Sequence, residues 1–275
     1  MASSGSIGLL LVVLTTLITV IAFRRDSLMA RYTFSVEGVL IHKEYSRLIS
    51  SGFVHGDWMH LLFNMYSLMA FAGTLERVAG PWHVLLIYFA SLVGGNLLSL
   101  FINRNNYGYR AVGASGAIAG IIFASIVLFP GMSISPLFMP FRIPAWLYGL
   151  FYTLFSIYAI KSRNDNIGHE AHLGGALVGV VSMCAIEPEV LRMNWPIALL
   201  LTLPTTAFLL FLINRPEWLY IKGFSLANTT VETKDERYNA AKFQRQLEID
   251  RILDKINERG IGSLTDQERD MLKER

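Results

Sequence analysis

Charge is scarce over most of this chain. Charged residues make up 16% of its 275 positions, against about 25% in a soluble globular domain. They are also badly mixed: Glu232 to Arg275 holds eleven acids and ten bases, 21 of the 45 charged residues. The first ~220 residues are therefore too apolar for a water-soluble fold, and the tail reads as a soluble appendage. A net charge of +3, small and dispersed, gives no electrostatic case for nucleic acid. The single cysteine, Cys184, excludes an internal disulfide and lies in an apolar run, where packing is its role. Positive charge is missing from Met1 to Ser6, and Ile21-Ala22-Phe23-Arg24-Arg25 lacks a small-x-small cleavage site. The first apolar run thus reads as an anchor rather than a signal peptide.

What is abundant is apolar length. Crossing a bilayer takes roughly 17 to 25 apolar residues, and seven stretches qualify: about 6–23, 58–79, 82–102, 111–129, 144–160, 168–186 and 195–213. Gly73, Gly80 and Pro81 mark the turn between the second and third. Pro130, Pro136, Pro140 and Pro144 break the chain between the fourth and fifth. Asn164 to Asn166 opens the turn into the sixth, and Pro188 closes it. Residues 24–57 form the longest internal loop. Phe34, Val36, Val39, Leu40 and Ile41 make it too apolar to float free and its charges make it too polar to cross, so it lies on the membrane surface or packs against the spans.

Ionisable and polar side chains inside spans are functional candidates by default. His60 and Asn64 stand four apart and share one face of the second span. Ser115 opens the fourth, about one turn inside its N-terminal end, and His172 sits early in the sixth. Spans two, four and six run in the same direction, so these four residues lie at similar depth beneath one membrane face. Gly116 and Gly120 are four apart, as are Gly175 and Gly179. Each pair makes a small-residue face that lets backbones approach closely. Where those faces meet, Ser115 comes within reach of His172, the requirement for activating a serine by a general base. Glu170, two residues before His172, faces elsewhere on the helix. No carboxylate lies inside a span near His172, which favours a Ser-His dyad over a triad.

The motifs His60-x-x-x-Asn64, Gly113-Ala114-Ser115-Gly116 and Ala171-His172-Leu173-Gly174-Gly175 with Gly179 resemble those of the rhomboid family of intramembrane serine proteases. The likeness covers about residues 45–187 and extends to Arg47, His55 and Gly73-x-x-Glu76. It implies an all-α polytopic membrane protein with a rhomboid-like six-helix core, one added C-terminal transmembrane helix and a small soluble helical tail. The corresponding segments are 1–44 (first span and membrane-associated loop), 45–187 (catalytic core), 188–220 (extra span) and 221–275 (tail). It implies Ser115 as nucleophile and His172 as base, with His60, Asn64 and the Ser115 N–H facing the oxyanion. Transmembrane proteins would be cut in or beside their membrane segments, reaching the site past the fifth span, with no metal or other cofactor. The resemblance implies a bacterial inner membrane.

Two departures matter. Many members carry an aromatic residue four after the serine, stacked on the catalytic histidine; here it is Ala119, so either something else holds the His172 ring or its orientation is looser. The tryptophan often preceding the first-loop arginine is Ser46, which leaves any structural role of that pair open. A catalytically silent relative that retains membrane clients, and a transporter with His60 and His172 as a proton relay, are the competing readings. His42, His55, His83 and His169 read as loop or interface histidines, His55 nearest the site. In the tail, Phe243, Leu247, Ile249, Ile252, Leu253 and Ile256 approximate a helical stripe. Gly260 is a stop, and Thr265-Asp266-Gln267-Glu268 is a capping box.

Orientation sets two rules against each other. The family usually opens its site away from the cytoplasm. Yet the loops on the site's face carry Arg24, Arg25, Arg31, Lys43, Arg47, Arg104, Arg110, Lys161 and Arg163, against Arg77, Arg142 and Arg192 on the other, and positive loops stay inside. Seven spans put the tail on the site's face. The family orientation predicts that a tag on the tail is digested by protease added to intact cells; the charge rule predicts that it is protected.

Overall fold

The structure, a computed structural model, describes residues 6–135, 141–162, 167–215 and 218, and in the tail 252, 255, 256, 260–265, 268 and 269. Pro136, Pro140, Arg163, Asn164 to Asn166, Phe243, Leu247, Ile249, Leu253, Asp266 and Gln267 lie outside the described residues. The chain divides into two compact units, Met1–Ser225 and Leu226–Arg275.

The first unit is all-α. Its long helices are α1 (Ser6–Ala22), α5 (Trp58–Ala79), α6 (Pro81–Asn103), α7 (Ser115–Leu128), α8 (Ala145–Ser162), α9 (His169–Ile186) and α10 (Pro188–Asn214). Three of them, α6, α9 and α10, are long and apolar enough to cross a membrane on those grounds alone, while α1 and α7 are apolar but shorter. The connection between α1 and α5 folds into α2 (Asp26–Tyr32), β1 (Phe34–Ser35), α3 (Val36–Leu40), α4 (Arg47–Ser50) and a 3-10 turn, Ser51–Phe53. Its apolar residues do not float: Phe34, Val36 and Val39 are buried against Leu48, Leu100 and Tyr109. Arg47 ties the segment down without a tryptophan neighbour. Its Nη1 donates to the carbonyls of Ala30 (2.7 Å) and Thr33 (2.6 Å), and its Nε to Glu44 Oε2 (2.6 Å).

Helix α7 lies at the centre. Every residue from Gly116 to Val127 is buried, which suits a helix that is apolar all round. At 14 residues it is about 21 Å long, short of the ~30 Å hydrocarbon core, so its neighbours rather than lipid surround it. Those neighbours approach at backbone distance. A side chain on Gly175 would strike the backbone of Gly116, one on Gly179 that of Gly120, and one on Gly95 of α6 the carbonyl of Ala171. In lipid, where apolar burial drives little helix association, such close van der Waals packing holds helices together.

Two sequence expectations are corrected. The fourth span was expected from 111, with Ser115 a turn inside; α7 begins at Ser115. Residues 110–111 instead form β2, paired antiparallel with β1 (Phe34 opposite Ala111, Ser35 opposite Arg110), and Gly113 takes φ +120°, which no helix accommodates. Gly73 lies inside α5, and the turn is made by Gly80 at φ +88° followed by Pro81 at the first position of α6. Helix α10 starts at Pro188, and its non-helical Asn194 divides a short first segment from the stretch beginning at Trp195, the expected seventh span; Asn194 Nδ2 donates to the Val127 carbonyl at the end of α7 (2.9 Å).

Glu76 fixes the other end of α5 to α1. Its buried carboxylate accepts from Ser6 Oγ (2.9 Å), Ile7 N–H (3.1 Å) and Gly8 N–H (3.4 Å), an anion at the positive end of a helix. In the second unit, Thr265 and Glu268 form the reciprocal capping contacts expected of them: Thr265 N–H donates to Glu268 Oε2 (2.7 Å) and Glu268 N–H to Thr265 Oγ1 (3.3 Å). Lys255 Nζ also reaches Glu268 (2.8 Å), and Gly260 turns the chain at φ +75°.

Because the α7–α9 contact is backbone on backbone, there is no flexible side chain to give way. Gly175→Val should destabilise the helical unit by about 1–3 kcal/mol or more, read as a lowered unfolding temperature in detergent. An unchanged transition would show that the helices do not touch there.

Candidate active site

Helix α7 presents Ser115 at its first position and α9 presents His172 at its fourth. The glycine contact brings these ends together, and Ser115 Oγ lies 2.6 Å from His172 Nε2. Neither helix has a side-chain cap, since Ala114 and Gly168 occupy the N-cap positions. The N–H groups of the first turn of α7 have no carbonyl partner within the helix and point toward its positive end. A negative charge developing beside Ser115 would meet them.

The strand before Ser115 is held from three sides. Gly113 N–H donates to the Ser51 carbonyl (2.9 Å). Gly113 itself needs its glycine: beyond the positive φ, a Cβ there would sit 2.7 Å from the His60 ring. Ala114 N–H donates to His55 Nε2 (3.4 Å). His55 Nδ1 lies 3.1 Å from Thr19 Oγ1 of α1, and Thr19 Oγ1 donates to the Phe53 carbonyl (3.0 Å). One tautomer satisfies the whole chain: His55 accepts at Nε2, donates from Nδ1, and the threonine hydroxyl passes its own hydrogen on. His55 is fully buried. Burial, reinforced by His60 and opposed by Asp57, pushes its pKa from 6.5 down to about 3, so the ring is neutral at physiological pH.

His60 and Asn64 lie on the first two turns of α5, started by Asp57, whose Oδ1 accepts from His60 N–H (2.8 Å). The His60 ring meets His55 edge-on with centroids 4.9 Å apart and covers Gly113, two residues before Ser115. Asn64 is buried, and its Nδ2 donates to the His60 carbonyl (2.9 Å). An amide nitrogen has two hydrogens, so this bond occupies one of them. Glu170 points away from the pair: its carboxylate accepts from Asn103 Nδ2 (3.3 Å) and the Tyr109 hydroxyl (3.4 Å).

The His172 ring is stacked on Tyr152 of α8, centroids 6.0 Å apart and planes 27° from parallel, and His169 meets its edge at 5.6 Å. Sequence reasoning missed Tyr152 and Thr19. Ala119 in place of an aromatic residue left open whether another group holds the imidazole or the ring is looser, and no local pattern marks a residue of a distant helix as the one beside it. Thr19 had a weaker signal, being one of three threonines, with Thr15 and Thr16, inside an apolar span.

A family model described as "Rhomboid domain" matches residues 42–187, and a "Family of unknown function (DUF6576)" matches 232–275. "RHOMBOID-like protein 12, mitochondrial" of Arabidopsis thaliana is 29% identical over 181 residues, 60% of this chain and 53% of its own length. "Rhomboid protein 1, mitochondrial" of Saccharomyces cerevisiae is 29% identical over 157 residues, 54% and 45% of the two chains. A Bacillus subtilis relative is 40% identical over 88 residues, 31% and 43%. The chain spans about half the length of the curated relatives it matches.

The His55 network titrates with a definite sign. Its folded pKa lies below the ordinary 6.5, so between those values the unfolded chain binds the extra proton. Stability from this group is complete above pH ~6.5 and declines as the pH falls toward ~3. The unfolding temperature should therefore drop more between pH 7 and pH 4.5 in the wild type than in His55→Gln; parallel drops would refute the assignment.

Proposed function

Since this chain belongs to the rhomboid family and is an integral, multi-pass membrane protein, we propose that it is an intramembrane serine endopeptidase working through a Ser115-His172 dyad. The 2.6 Å contact between Ser115 Oγ and His172 Nε2 carries this reading. The serine donates into a bare Nε2, which requires the imidazole proton on Nδ1. As Ser115 attacks a peptide carbonyl, His172 takes its proton and then delivers it to the departing amine. Water attacks the resulting ester by the same route in reverse. The N–H of Ser115, the His60 ring and the free hydrogen of Asn64 face the oxyanion, donors of a kind worth about 10²–10³-fold each.

The substrates are membrane proteins, cut in or beside a transmembrane segment. A helical carbonyl is shielded and already hydrogen-bonded, so the cut falls where the helix is weakened. In this reading residues 45–187 are the catalytic core, 188–220 the added span and 221–275 a separate soluble module. The bacterial inner membrane expected from the sequence gains no support from relatives named as mitochondrial; the multi-pass placement does not depend on it. The client-binding alternative rested on Ala119, and Tyr152 supplies from another helix the ring that Ala119 lacks.

Purified protein should label at Ser115 with a serine-directed fluorophosphonate and cleave a transmembrane substrate in liposomes. Ser115→Ala should abolish both, and His172→Ala should slow both by about 10²–10⁴-fold. Unchanged cleavage in the two variants would refute the mechanism.

A further inference from the structure

Ser115, Ala119 and Phe123 are spaced by four and share one face of α7. The middle position carries a methyl group alone, and Ala119 is buried. Phe123, one turn deeper, touches the Tyr152 ring at 5.7 Å, so this face looks toward α8. Tyr152 rises from α8 with its ring against Phe123 and Tyr148 (6.0 Å) and ends stacked on His172. Helix α8 is seated closely enough to deliver it. A side chain on Gly149, one turn before Tyr152, would lie 2.8 Å from Leu201 of α10 and 3.3 Å from Ile126 of α7. The far side of α8 is exposed at Phe151, Leu154 and Tyr158, which places this helix at the lipid-facing edge.

We infer that Tyr152 is a positioning residue for His172: its ring is the wall that keeps Nε2 aimed at Ser115 Oγ, in the space left by Ala119. The inference rests on the dyad reading. Offset-stacked rings with centroids 4.5–7 Å apart attract one another beyond simple burial, and an imidazole with a fixed plane has one direction for its lone pair. Its hydroxyl is dispensable in this role. The base is thus held by a helix at the rim of the bundle.

The test compares Tyr152→Phe, Tyr152→Leu and the double variant Ala119→Phe with Tyr152→Leu. Each is checked for its unfolding temperature, its fluorophosphonate labelling rate at Ser115, and kcat and KM on a transmembrane substrate. Tyr152→Leu should slow labelling and lower kcat by about 3- to 10-fold, the range a stacking contact allows, with KM within about twofold. Tyr152→Phe should behave like wild type, and Ala119→Phe should recover most of the loss. A loss confined to KM, wild-type labelling in Tyr152→Leu, or an equal defect in Tyr152→Phe would overturn the assignment. Should Tyr152→Leu fail to fold, Tyr152→Met replaces it under the same criteria. A wild-type protein that neither labels nor cleaves defeats the dyad reading instead. In that event histidine NMR of the protein in micelles still decides the stacking: the His172 ring signals lose their ring-current shift in Tyr152→Leu and keep it in Tyr152→Phe, and equal spectra would defeat it.

Discussion

Helices α7 and α9 come together until the carbonyls of one fill the places where the other would carry side chains. Gly116 and Gly120 meet Gly175 and Gly179, and Gly95 of α6 receives the Ala171 carbonyl in the same manner. Rigid backbone on both sides leaves little room for drift, and a rigid pair of helix ends is what a 2.6 Å contact between Ser115 and His172 requires. In a bilayer this packing cannot lean on the hydrophobic effect, because lipid is as apolar as any side chain. The small residues serve both cohesion and alignment.

Around that pair the polar groups form a second layer of support. His55 links α1, through Thr19, to the peptide just ahead of Ser115. Glu76 closes the opposite end of α1 onto α5. Asn194 does the same for α10 and the end of α7. Each contact satisfies a polar group that would be expensive to leave bare in an apolar surrounding. The first-loop segment, pinned by Arg47, supplies β1, and β1 is what holds Ala111 extended so that α7 cannot begin before Ser115.

Much of this was legible in the residues. Apolar length and punctuation by Pro81, Pro188 and Gly80 located the long helices to within a few residues, because in lipid every backbone group must find its partner inside its own helix. The spacing of Ser115, His172 and the paired glycines pointed to one cluster, since helical period and span parity are local properties. What could not be read locally was set by distant partners. The start of α7 depends on Phe34 and Ser35, some eighty residues earlier, and the ring beside His172 comes from a helix that carries no motif. Gly73 misled because a glycine inside a membrane helix looks, in isolation, like a turn.

The unequal lengths of α6 and α7, 23 and 14 residues, correspond to a difference of about 13 Å. Because Gly116 to Val127 are all enclosed by neighbouring helices, that shortfall lies inside the bundle, above or below α7, and not against lipid. The Ser115 hydroxyl therefore keeps its depth relative to the helices around it rather than to the surrounding membrane. On the proposed function, moving the molecule from a thin bilayer to a thick one changes how far a substrate must sink, or be drawn up, before the bond to be cut arrives, at about one residue of register for every 1.5 Å.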